Sequence, residues 1–573
     1  MIENPSHASP GCLLFEDEHL LVVNKPAGWN THAPSPFAGE GIYEWLRHRE
    51  ARWASLAIIH RLDKETSGVL LFTKTPLANR SLTDQFANRQ ARKQYLLLTD
   101  RGVKNTELRA SSHLVRLGDR YGSRSQSSNG QFAETRFRVV DRQPNRTLLT
   151  AEPGTGRTHQ IRVHAADLGF PILGDSLYGG THGKRLYLHA HALTVRHPAT
   201  NREMRFEAPP EFESDPGLAL REAILPSQGT NACRLVHGAF DGWPGLYVDR
   251  LGSVFLVQAE VSLTGDQLEL VHFLAREIEG RMPKKQADVG RLPDASGLID
   301  SAPDKNRKPA SVTILHKLLR KDVRETDVSR ASPVHLAGPP FSDAWGITEN
   351  GVHYQLSSRE GYSAGLFLDQ RDNRRRLLTA HIAAGFPLFP TFAGRPAVLN
   401  TFAYTCGFSV CAALAGAQTV SLDLSRKYLE WGRENFRLNG LDPAGHEFIY
   451  GDCFDWLKRL ARKQHRFDVI ILDPPTFSTS KVSGVFRVEK NYDKLLKAAL
   501  PLLKDDGVVL ACANTARLAP EDFLAEIQTA LRDCGRSIRQ QHYVPQPPDF
   551  PVHREEPAYL KTVWMRIGQS QKS

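Results

Sequence analysis

The stretch HRLDKETSGVLLF, residues 60–72, holds side chains that could do chemistry. Its carboxylate, Asp63, lies between Arg61 and a Thr-Ser-Gly turn. An ionised carboxylate can act as a nucleophile or as a base, although an Asp in this setting can also simply cap a helix. Further motifs accompany this stretch along the chain: VVNKPAGWNTH (22–32), ARKQYLLL (91–98), GTGRTHQIRVHAADLGFPILGDSLYG (154–179) and LYLHAHALTVRHP (186–198). Together they favour the chemical interpretation of Asp63.

The order and the amino-acid sequences of these motifs resemble those of the RluA family of pseudouridine synthases over about residues 12–210. The resemblance places the family's catalytic Asp at Asp63, its active-site Tyr at Tyr95 and its ion-pairing Arg at Arg162. Arg61 matches the arginine that helps to displace the target nucleotide. It implies isomerisation of uridine to pseudouridine without a cofactor, on a base that has left the helix. We predict that Arg162 forms a bidentate pair with Asp63, and that Tyr95 stacks on the uracil and assists proton removal from C5.

Short apolar strands must position these groups. Residues 14–27 read as two strands around an acidic turn, and apolar alternation recurs at 94–99, 132–140 and 147–151. This pattern predicts a mixed α/β domain built on an antiparallel sheet. A Pro-, Glu- and Ser-rich stretch at 208–230 marks the boundary, so we predict a first domain over residues 1–215.

Basic residues concentrate between Arg89 and Arg142, where twelve Lys/Arg stand against five Asp/Glu. The segment is either a solvated loop face or an arm that contacts phosphates. The small RNA-binding domain that precedes the catalytic domain in several relatives is not expected here, since about a dozen residues precede the first motif. Target choice is therefore expected to come from this arm or from the second half of the chain.

A second group of polar residues follows strands of the C-terminal half. The strand in VLNTFAYTCGFS (398–409) ends before Gly407, which alone is more typical of a structural turn. Asp423, Asp452 and Asp473 follow later strands, the last in FDVIILDPPTFSTSK (467–481). Buried strands alternating with helices predict a parallel sheet, and ligands bind at the carboxyl ends of such strands. The acidic residues should converge on one crevice.

These segments resemble Rossmann-like S-adenosylmethionine-dependent methyltransferases, and most closely the 23S ribosomal RNA enzymes of the RlmI and RlmK type. The motifs RLVHGAFDGWPGLYVDRLG (234–252) and GLFLDQRDNRRR (365–376) extend the likeness over 230–568. It implies a small α/β domain over 228–365 with an exposed insertion at 282–310, a doubly wound methyltransferase domain over 366–573, and a pseudouridine synthase in place of the usual PUA domain. The implied S-adenosyl-L-methionine residues are Asn400, Phe402, Thr405, Gly407, Asp423, Asp452, Asp473 and Pro474. The Arg374–Arg376 run is expected to contact phosphate or to solvate a helix face.

The methylated atom depends on the strand GVVLACANTARL (507–518). The 5-methylcytosine members place a nucleophilic Cys at the position that Asn514 occupies here. Cys512 lies two residues earlier, on the same face of the strand, so its direction alone does not exclude it. We assign catalytic roles to Asp473, Phe477 and Asn514 and favour guanine N7, which needs only positioning against the methyl donor. Phe477 either stacks on the target base or is a core aromatic.

Composition is consistent with a multidomain α/β and α+β protein of 573 residues, with net charge +10 and seven scattered cysteines. No apolar run reaches the length of a membrane span, no Cys/His spacing indicates a metal site, and the N-terminus lacks a signal pattern, so a cytoplasmic protein is expected. The prediction is a bifunctional enzyme acting on RNA, most simply 23S rRNA, with tRNA possible for the pseudouridine. Two alternatives stay open: one half serves only as an RNA-binding module, or Cys512 supports 5-methylcytosine formation.

Overall fold

The chain folds into two compact units, one formed by residues 9–227 and another that includes residues 228–573. The structure is a computed structural model that describes residues 9–126, 129–210, 212–226, 229–281, 312–319, 331–340, 342–360, 363–389, 394–480, 482 and 484–569. The predicted insertion at 282–310 lies outside these residues. Among the described helices, none has the length and apolar character that a bilayer crossing requires.

The first unit is built on one large sheet. Its strands are β1 (Leu13–Glu16), β2 (Leu20–Lys25), β3 (Ala57–Ile58), β4 (Ser67–Thr73), β5 (Arg92–Thr99), β6 (Glu107–Leu117), β7 (Arg120–Arg124), β8 (Gln131–Gln143), β9 (Arg146–Pro153), β10 (Leu188–Arg196) and β11 (Glu203–Glu207). Its helices are α1 (Ile42–Arg47), α2 (Pro76–Ala87), α3 (Gln160–Asp167) and α4 (Pro216–Ile224). The strand order is β1-β2-β4-β10-β5-β9-β8-β6-β7, with β3 beside β4 and β11 beside β10. The strands at the predicted positions 94–99, 132–140 and 147–151 are confirmed as β5, β8 and β9.

Two neighbouring strands in the middle of this sheet, β4 and β10, run parallel, while the other printed pairs are antiparallel. Every residue of β4 is buried, since helix α2 packs against this part of the sheet. A second apolar cluster joins Phe137 and Leu149 of the sheet to Ile161 of α3. Helix α3 and the loop before β4 are thus fixed on the same scaffold.

The Pro-, Glu- and Ser-rich stretch contains an ordered helix rather than only a linker. Asp215 caps α4 by accepting hydrogen bonds from the N–H groups of Gly217 and Leu218 at 2.9 and 3.1 Å. Leu218 and Ile224 of the helix are buried. The helix belongs to the first compact unit, so this unit extends beyond the predicted end at residue 215.

The second unit contains a five-stranded and a seven-stranded sheet. The first part has β12 (Ala232–His237), β13 (Leu246–Leu251), β14 (Val254–Ala259), α5 (Gly265–Arg281), β15 (Thr313–Leu318), β16 (Val334–Ala337), β17 (Ala344–Glu349), β18 (Val352–Ser357), α6 (Arg371–Leu378), β19 (His381–Ala383) and β20 (Phe386–Pro387). The strands β12 to β16 form one sheet in chain order, with β14 and β15 parallel.

The remaining elements form the doubly wound part. They are β21 (Ala397–Thr401), α7 (Gly407–Leu414), β22 (Gln418–Asp423), α8 (Arg426–Leu438), β23 (Glu447–Tyr450), α9 (Cys453–Arg462), β24 (Phe467–Leu472), β25 (Phe477–Ser480), β26 (Gly484–Arg487), α10 (Val488–Ala499), β27 (Leu503–Asn514), α11 (Pro520–Asp533), β28 (Arg536–Val544) and β29 (Leu560–Gln569). The sheet order is β23-β22-β21-β24-β27-β29-β28, and the first five strands are parallel. The predicted parallel sheet is confirmed.

The arginine run of helix α6 is not a solvated face. Arg374 is 3 % exposed and donates two hydrogen bonds, at 2.7 and 2.8 Å, to the carboxylate of Glu349 in β17. Arg375 is also buried, and Arg376 donates to the carbonyl oxygens of Ile382 and Asp372. The expectation of solvent or phosphate contact was wrong, because these side chains tie α6 into the unit.

Candidate active sites

The loop that carries Asp63 lies between β3 and β4 and is held from both sides by the motif VVNKPAGWNTH. The Lys25 ammonium, which is fully buried, donates to the carbonyl oxygen of Lys64 at 3.0 Å and to that of Trp29 at 2.6 Å. Thr31 donates from its hydroxyl to the carbonyl oxygen of Leu62 at 2.8 Å. The two neighbours of Asp63 in the chain are therefore anchored, which explains why this distant motif accompanies the carboxylate.

Four residues predicted from the sequence line one cleft of about 970 Å³: Arg61, Asp63, Tyr95 and Arg162. The cleft is basic. Its described lining includes the cations Arg61, Arg89, Arg92, Lys93, Arg136, Arg157, Arg162 and Arg205 and the anions Asp63, Glu134, Glu152 and Glu203. Burial, followed by the charge of Asp63, raises the pKa of Tyr95, so this phenol stays protonated at neutral pH. Such a cleft can attract a polyanion and present a carboxylate to it.

The bidentate partner of Arg162 is Asp175, and the predicted pair with Asp63 was wrong. The Arg162 guanidinium donates through Nε and Nη2 to the two carboxylate oxygens of Asp175, both at 2.7 Å. Burial disfavours the charge on Arg162, but the hydrogen bonds and charge of Asp175, with the charge of Asp63, outweigh it and raise its pKa. Arg162 therefore acts on Asp63 through its charge, while Asp175 fixes its orientation.

Sequence reasoning missed His159, which begins α3 with a left-handed φ of 57°. Its Nε2 lies 3.9 Å from a carboxylate oxygen of Asp63, and its Nδ1 lies 2.8 Å from the hydroxyl of Tyr178. That hydroxyl accepts from the backbone N–H of Tyr121, so it can donate to Nδ1 and leave the ring proton on Nε2, facing Asp63. Burial lowers the pKa of His159, which favours this neutral ring. His159 and Tyr178 both lie in the motif 154–179, but nothing in the sequence indicated that they contact each other or Asp63.

The basic hairpin β6–β7 is tied to this site through Tyr121. Three arginines of the basic Arg89–Arg142 segment, Arg116, Arg120 and Arg124, are exposed on this hairpin. The ring of Tyr121 also contacts His159 edge-on, with centroids 5.7 Å apart. The hairpin arginines therefore belong to the same surface region as the cleft.

In the second unit, the parallel strands deliver the predicted acidic residues to one edge of the sheet. Asp423 ends β22 and accepts hydrogen bonds, both at 2.8 Å, from the N–H groups of Tyr404 and Ser425. Burial raises the pKa of its carboxyl. Asp473 follows β24, accepts from the Gln370 amide at 3.1 Å, and has its pKa raised to about 7 by burial and then by the charge of Asp369.

The loop between β21 and α7 takes left-handed conformations without glycine. Phe402, Tyr404 and Cys406 have φ values of 53°, 49° and 62°. Such conformations cost about 1–3 kcal/mol for non-glycine residues and persist only when surrounding contacts enforce them. One contact is the hydrogen bond from the Thr405 hydroxyl to the carbonyl oxygen of Gly365, at 2.6 Å. The loop therefore makes a tight turn although non-glycine residues occupy its left-handed positions.

Several predicted cofactor residues also hold the elements of this edge in place. Asn400 is fully buried and donates to the hydroxyl of Ser409 at 2.9 Å. Asp452 caps helix α9 by accepting from the N–H of Asp455 at 3.1 Å. Gly407 begins α7, and Pro474 is buried after Asp473. These contacts shape the edge on which Asp423 and Asp473 lie.

The same edge fits an adenosyl ligand. Leu424 directly follows Asp423 and is 50 % exposed, and Tyr450, at the end of β23, is 52 % exposed. Exposed apolar side chains here can flank an adenine ring, and the carboxylate of Asp423 has lone pairs left for ribose hydroxyls. Phe402, Asp423 and the N-terminus of α7 would hold such a group.

The acceptor side of this edge contains Phe477, Asn514 and Cys512. Phe477 begins β25, is half-buried, and lies under the Arg487 guanidinium at 5.4 Å, so it is not a core aromatic. The carbonyl oxygen of Asn514 accepts from the Thr476 hydroxyl at 2.5 Å, which joins the end of β27 to the DPPTF segment. Cys512 is fully buried, and burial followed by the charge of Asp473 raises its pKa well above the usual range. This thiol is therefore protonated at neutral pH.

Two family models match the chain in separate regions. The RNA pseudouridylate synthase model matches residues 19–167. Ribosomal large subunit pseudouridine synthase C of Yersinia pestis is 42 % identical over 212 residues, which are 35 % of this chain and 65 % of that protein. The same enzyme of Pasteurella multocida is 39 % identical over 234 residues, 37 % of this chain and 68 % of that protein. The chain belongs to the RNA pseudouridylate synthase family.

The S-adenosylmethionine-dependent methyltransferase model matches residues 311–566, so the second unit carries a domain of that class and uses that cofactor. The crystal structure of SMU.776 complexed with SAH is 25 % identical, covers 65 % of this chain and 86 % of that chain, and has a TM-score of 0.47. The matches of the two family models, over residues 19–167 and 311–566, place a pseudouridine synthase domain and a methyltransferase domain in one chain. In the described part of the chain, no group of three His, Cys, Asp or Glu residues could hold a metal ion.

Proposed function

We propose that this protein is a bifunctional RNA-modifying enzyme that converts a uridine to pseudouridine and methylates a second base. The observation that carries the proposal is the gathering of Arg61, Asp63, Tyr95 and Arg162 in one basic cleft, alongside a separate methyltransferase domain. The curated relatives are named for the ribosomal large subunit. We therefore propose 23S rRNA as the substrate, with tRNA as the alternative for the pseudouridine.

In the first site, Asp63 is the group that acts on the flipped nucleotide, either as a nucleophile or as a base on the sugar. Arg61 takes part in displacing that nucleotide, which costs a few kcal/mol of unstacking. Tyr95, as a neutral phenol, stacks on the uracil and takes part in proton transfer at C5. Arg162, oriented by Asp175, supplies positive charge beside the carboxylate, and His159 bounds the site on the other side.

In the second site, we propose methylation of a ring nitrogen, with guanine N7 as the acceptor. S-adenosylmethionine supplies an electrophilic methyl group when it is bound. Phe402 and Asp423 hold it, Asp473 and Pro474 frame its reactive end, and Phe477 and Asn514 orient the acceptor. The burial and raised pKa of the Cys512 thiol support a route without covalent attack, since a protonated thiol is a poor nucleophile.

Mass-spectrometric mapping of modified nucleosides in ribosomal and transfer RNA, comparing a deletion strain with wild type, tests the whole proposal. We expect one pseudouridine and one 7-methylguanosine to disappear together from 23S rRNA. Loss of only one modification would support the alternative in which the other half is an RNA-binding module. Calorimetric titration of the full chain with S-adenosylmethionine then decides whether the second half is that module.

A further inference from the structure

A second cavity, of about 290 Å³, opens between the five-stranded sheet and the seven-stranded sheet of the second unit. Its walls include apolar side chains of β13 and β14, Leu251 and Leu256, together with Leu366 and Phe550. Polar groups at Asp369, Asn514 and Tyr559 also line it, as does the exposed ring of Phe367. The volume lies near the lower end of the roughly 300–1,000 Å³ range of small-ligand pockets, which suits one base rather than a helix.

This cavity adjoins the reacting edge of the methyltransferase sheet at three points. Gln370, the residue after Asp369, donates from its side-chain amide to the Asp473 carboxylate at 3.1 Å, so the segment that carries Asp369 adjoins Asp473. The ring of Phe367 lies 5.4 Å, centroid to centroid, from that of Tyr404 in the loop between β21 and α7. Asn514 is joined through its backbone to the DPPTF segment. A molecule in the cavity would therefore meet the place where a methyl group is delivered.

Two side chains of the cavity, Asp369 and Asn514, can accept hydrogen bonds from a ligand. The lining also contains two cations: Arg234, whose guanidinium already pairs with Asp249 in β13, and Lys317 in β15. One carboxylate oxygen of Asp369 accepts from the Tyr559 hydroxyl at 3.0 Å, which orients the group. Burial raises the pKa of Asp369, while the hydrogen bond from Tyr559 and the charge of Arg234 work against that rise. In its ionised form this carboxylate only accepts hydrogen bonds, and a single phenol leaves most of that capacity unused. The side-chain amide of Asn514 can both donate and accept. Phe367, 42 % exposed, offers a flat apolar surface beside these groups.

Guanine matches these features better than the other bases. Its Watson–Crick edge presents two adjacent N–H donors, at N1 and N2, while its nucleophilic N7 lies on the opposite edge. Cytosine and adenine each offer one exocyclic amine, and uracil offers one ring N–H. An unpaired base also stacks well on an exposed aromatic ring.

Resting on the methyltransferase activity proposed above, we propose that this cavity binds the acceptor base as a flipped guanine, held by Asp369 and Asn514, with Phe367 against its ring. Tyr559 is a positioning residue that orients the Asp369 carboxylate. Asp369 and Asn514 would recognise a base bound in this way by its N–H donors. Specificity for guanine thus resides in Asp369, a residue of the motif 365–376 that is not among those assigned to the cofactor.

The test uses the full-length protein and a short RNA that carries the guanosine mapped as the methylated nucleotide, made also with inosine at that position. Inosine retains N7 but lacks the N2 amino group. We expect wild type to prefer guanosine by at least tenfold in kcat/KM, since a site built to bond a substrate N–H discriminates against its absence. Asp369→Asn should lower methylation of the guanosine RNA by at least a hundredfold. It should also make kcat/KM equal for the guanosine and inosine RNAs. Tyr559→Phe should raise KM for RNA more than it lowers kcat.

Phe367→Leu, which keeps an apolar side chain but removes the ring, should lower methylation about ten- to a hundredfold, as expected for the loss of one stacked base. The dissociation constant for S-adenosylmethionine should stay within twofold of wild type in all variants, and pseudouridine formation should be unchanged. Equal methylation rates of wild type on the guanosine and inosine RNAs would overturn the assignment. A tenfold loss of S-adenosylmethionine affinity in Asp369→Asn would also overturn it, because it would place the cofactor in the cavity. If the wild-type enzyme transfers a labelled methyl group to no RNA, or transfers it to cytidine, the proposed function fails, and the cavity assignment fails with it.

Discussion

Removal of the hairpin arginines Arg116, Arg120 and Arg124 should flatten the salt dependence of RNA binding. All three are exposed on β6–β7, and none forms an ion pair in the part of the chain that the structure describes. Arg116 and Arg124 donate only to carbonyl oxygens of their own hairpin, those of Gly118 and Ser123. Their charge is therefore available to phosphates.

The expected size of the effect follows from counterion release. Each neutralised phosphate contributes about −0.7 to the slope of log affinity against log salt for single strands, and about −0.9 for a B-DNA-like duplex. Three arginines that each meet one phosphate account for a slope change of about 2 to 3. Between 50 and 200 mM salt, a slope contribution of about 2 corresponds to roughly a 16-fold change in affinity.

Fluorescence anisotropy of a labelled 23S rRNA fragment, titrated with wild type and the triple Ala variant over a potassium chloride series, measures this slope. The matched control is Arg52→Ala with Arg146→Ala, because these exposed arginines lie outside the Arg89–Arg142 segment and already pair with Glu16 and Glu213. An unchanged slope in the triple variant, or an equal change in the control, would refute the arm hypothesis and leave the hairpin as a solvated surface.

Four further substitutions test the two sites. Asp63→Asn should abolish pseudouridine formation in a tritium-release assay while RNA affinity stays nearly unchanged; substantial turnover would refute its role. Asp175→Asn breaks a buried ion pair and should destabilise the first unit by about 3–5 kcal/mol in thermal unfolding; an unchanged unfolding temperature would contradict this role of the pair. Asp423→Ala should weaken S-adenosylmethionine binding by about 1.5–3 kcal/mol in calorimetry and spare pseudouridine formation; a parallel loss of both activities would contradict two independent sites. Cys512→Ala should still yield 7-methylguanosine, whereas label in 5-methylcytidine that disappears in this variant would restore the covalent mechanism.

Motif order was enough to predict both domain classes and the gathering of Asp63, Tyr95 and Arg162, and apolar alternation was enough to predict five of the eleven strands of the first sheet. It was not enough to predict the contacts within the first site. Arg162 and Asp175 are thirteen residues apart and meet because of the turn after α3, which spacing alone does not specify. His159 reaches Asp63 only through a left-handed backbone at the start of α3.

The arginine run of α6 shows a second limit of sequence reasoning. Charge runs usually indicate solvated faces, because a lone buried charge is costly. Here the partner carboxylates lie far away in sequence: Glu349 precedes Arg374 by 25 residues, and Asp549 follows Arg371 by 178. Only the tertiary fold brings them together, so the local pattern indicated the wrong environment.

The left-handed residues Phe402, Tyr404 and Cys406 have a consequence for the thermodynamics of ligand binding. Their loop is held by contacts within the chain itself, with the Asp423 carboxylate and the Gly365 carbonyl. A segment fixed in this way has little conformational entropy left to lose on association, so more of the interaction energy remains as affinity. Glycine at these positions would relax the backbone but enlarge the set of conformations of the free loop. The side chains that strain this turn therefore preorganise it.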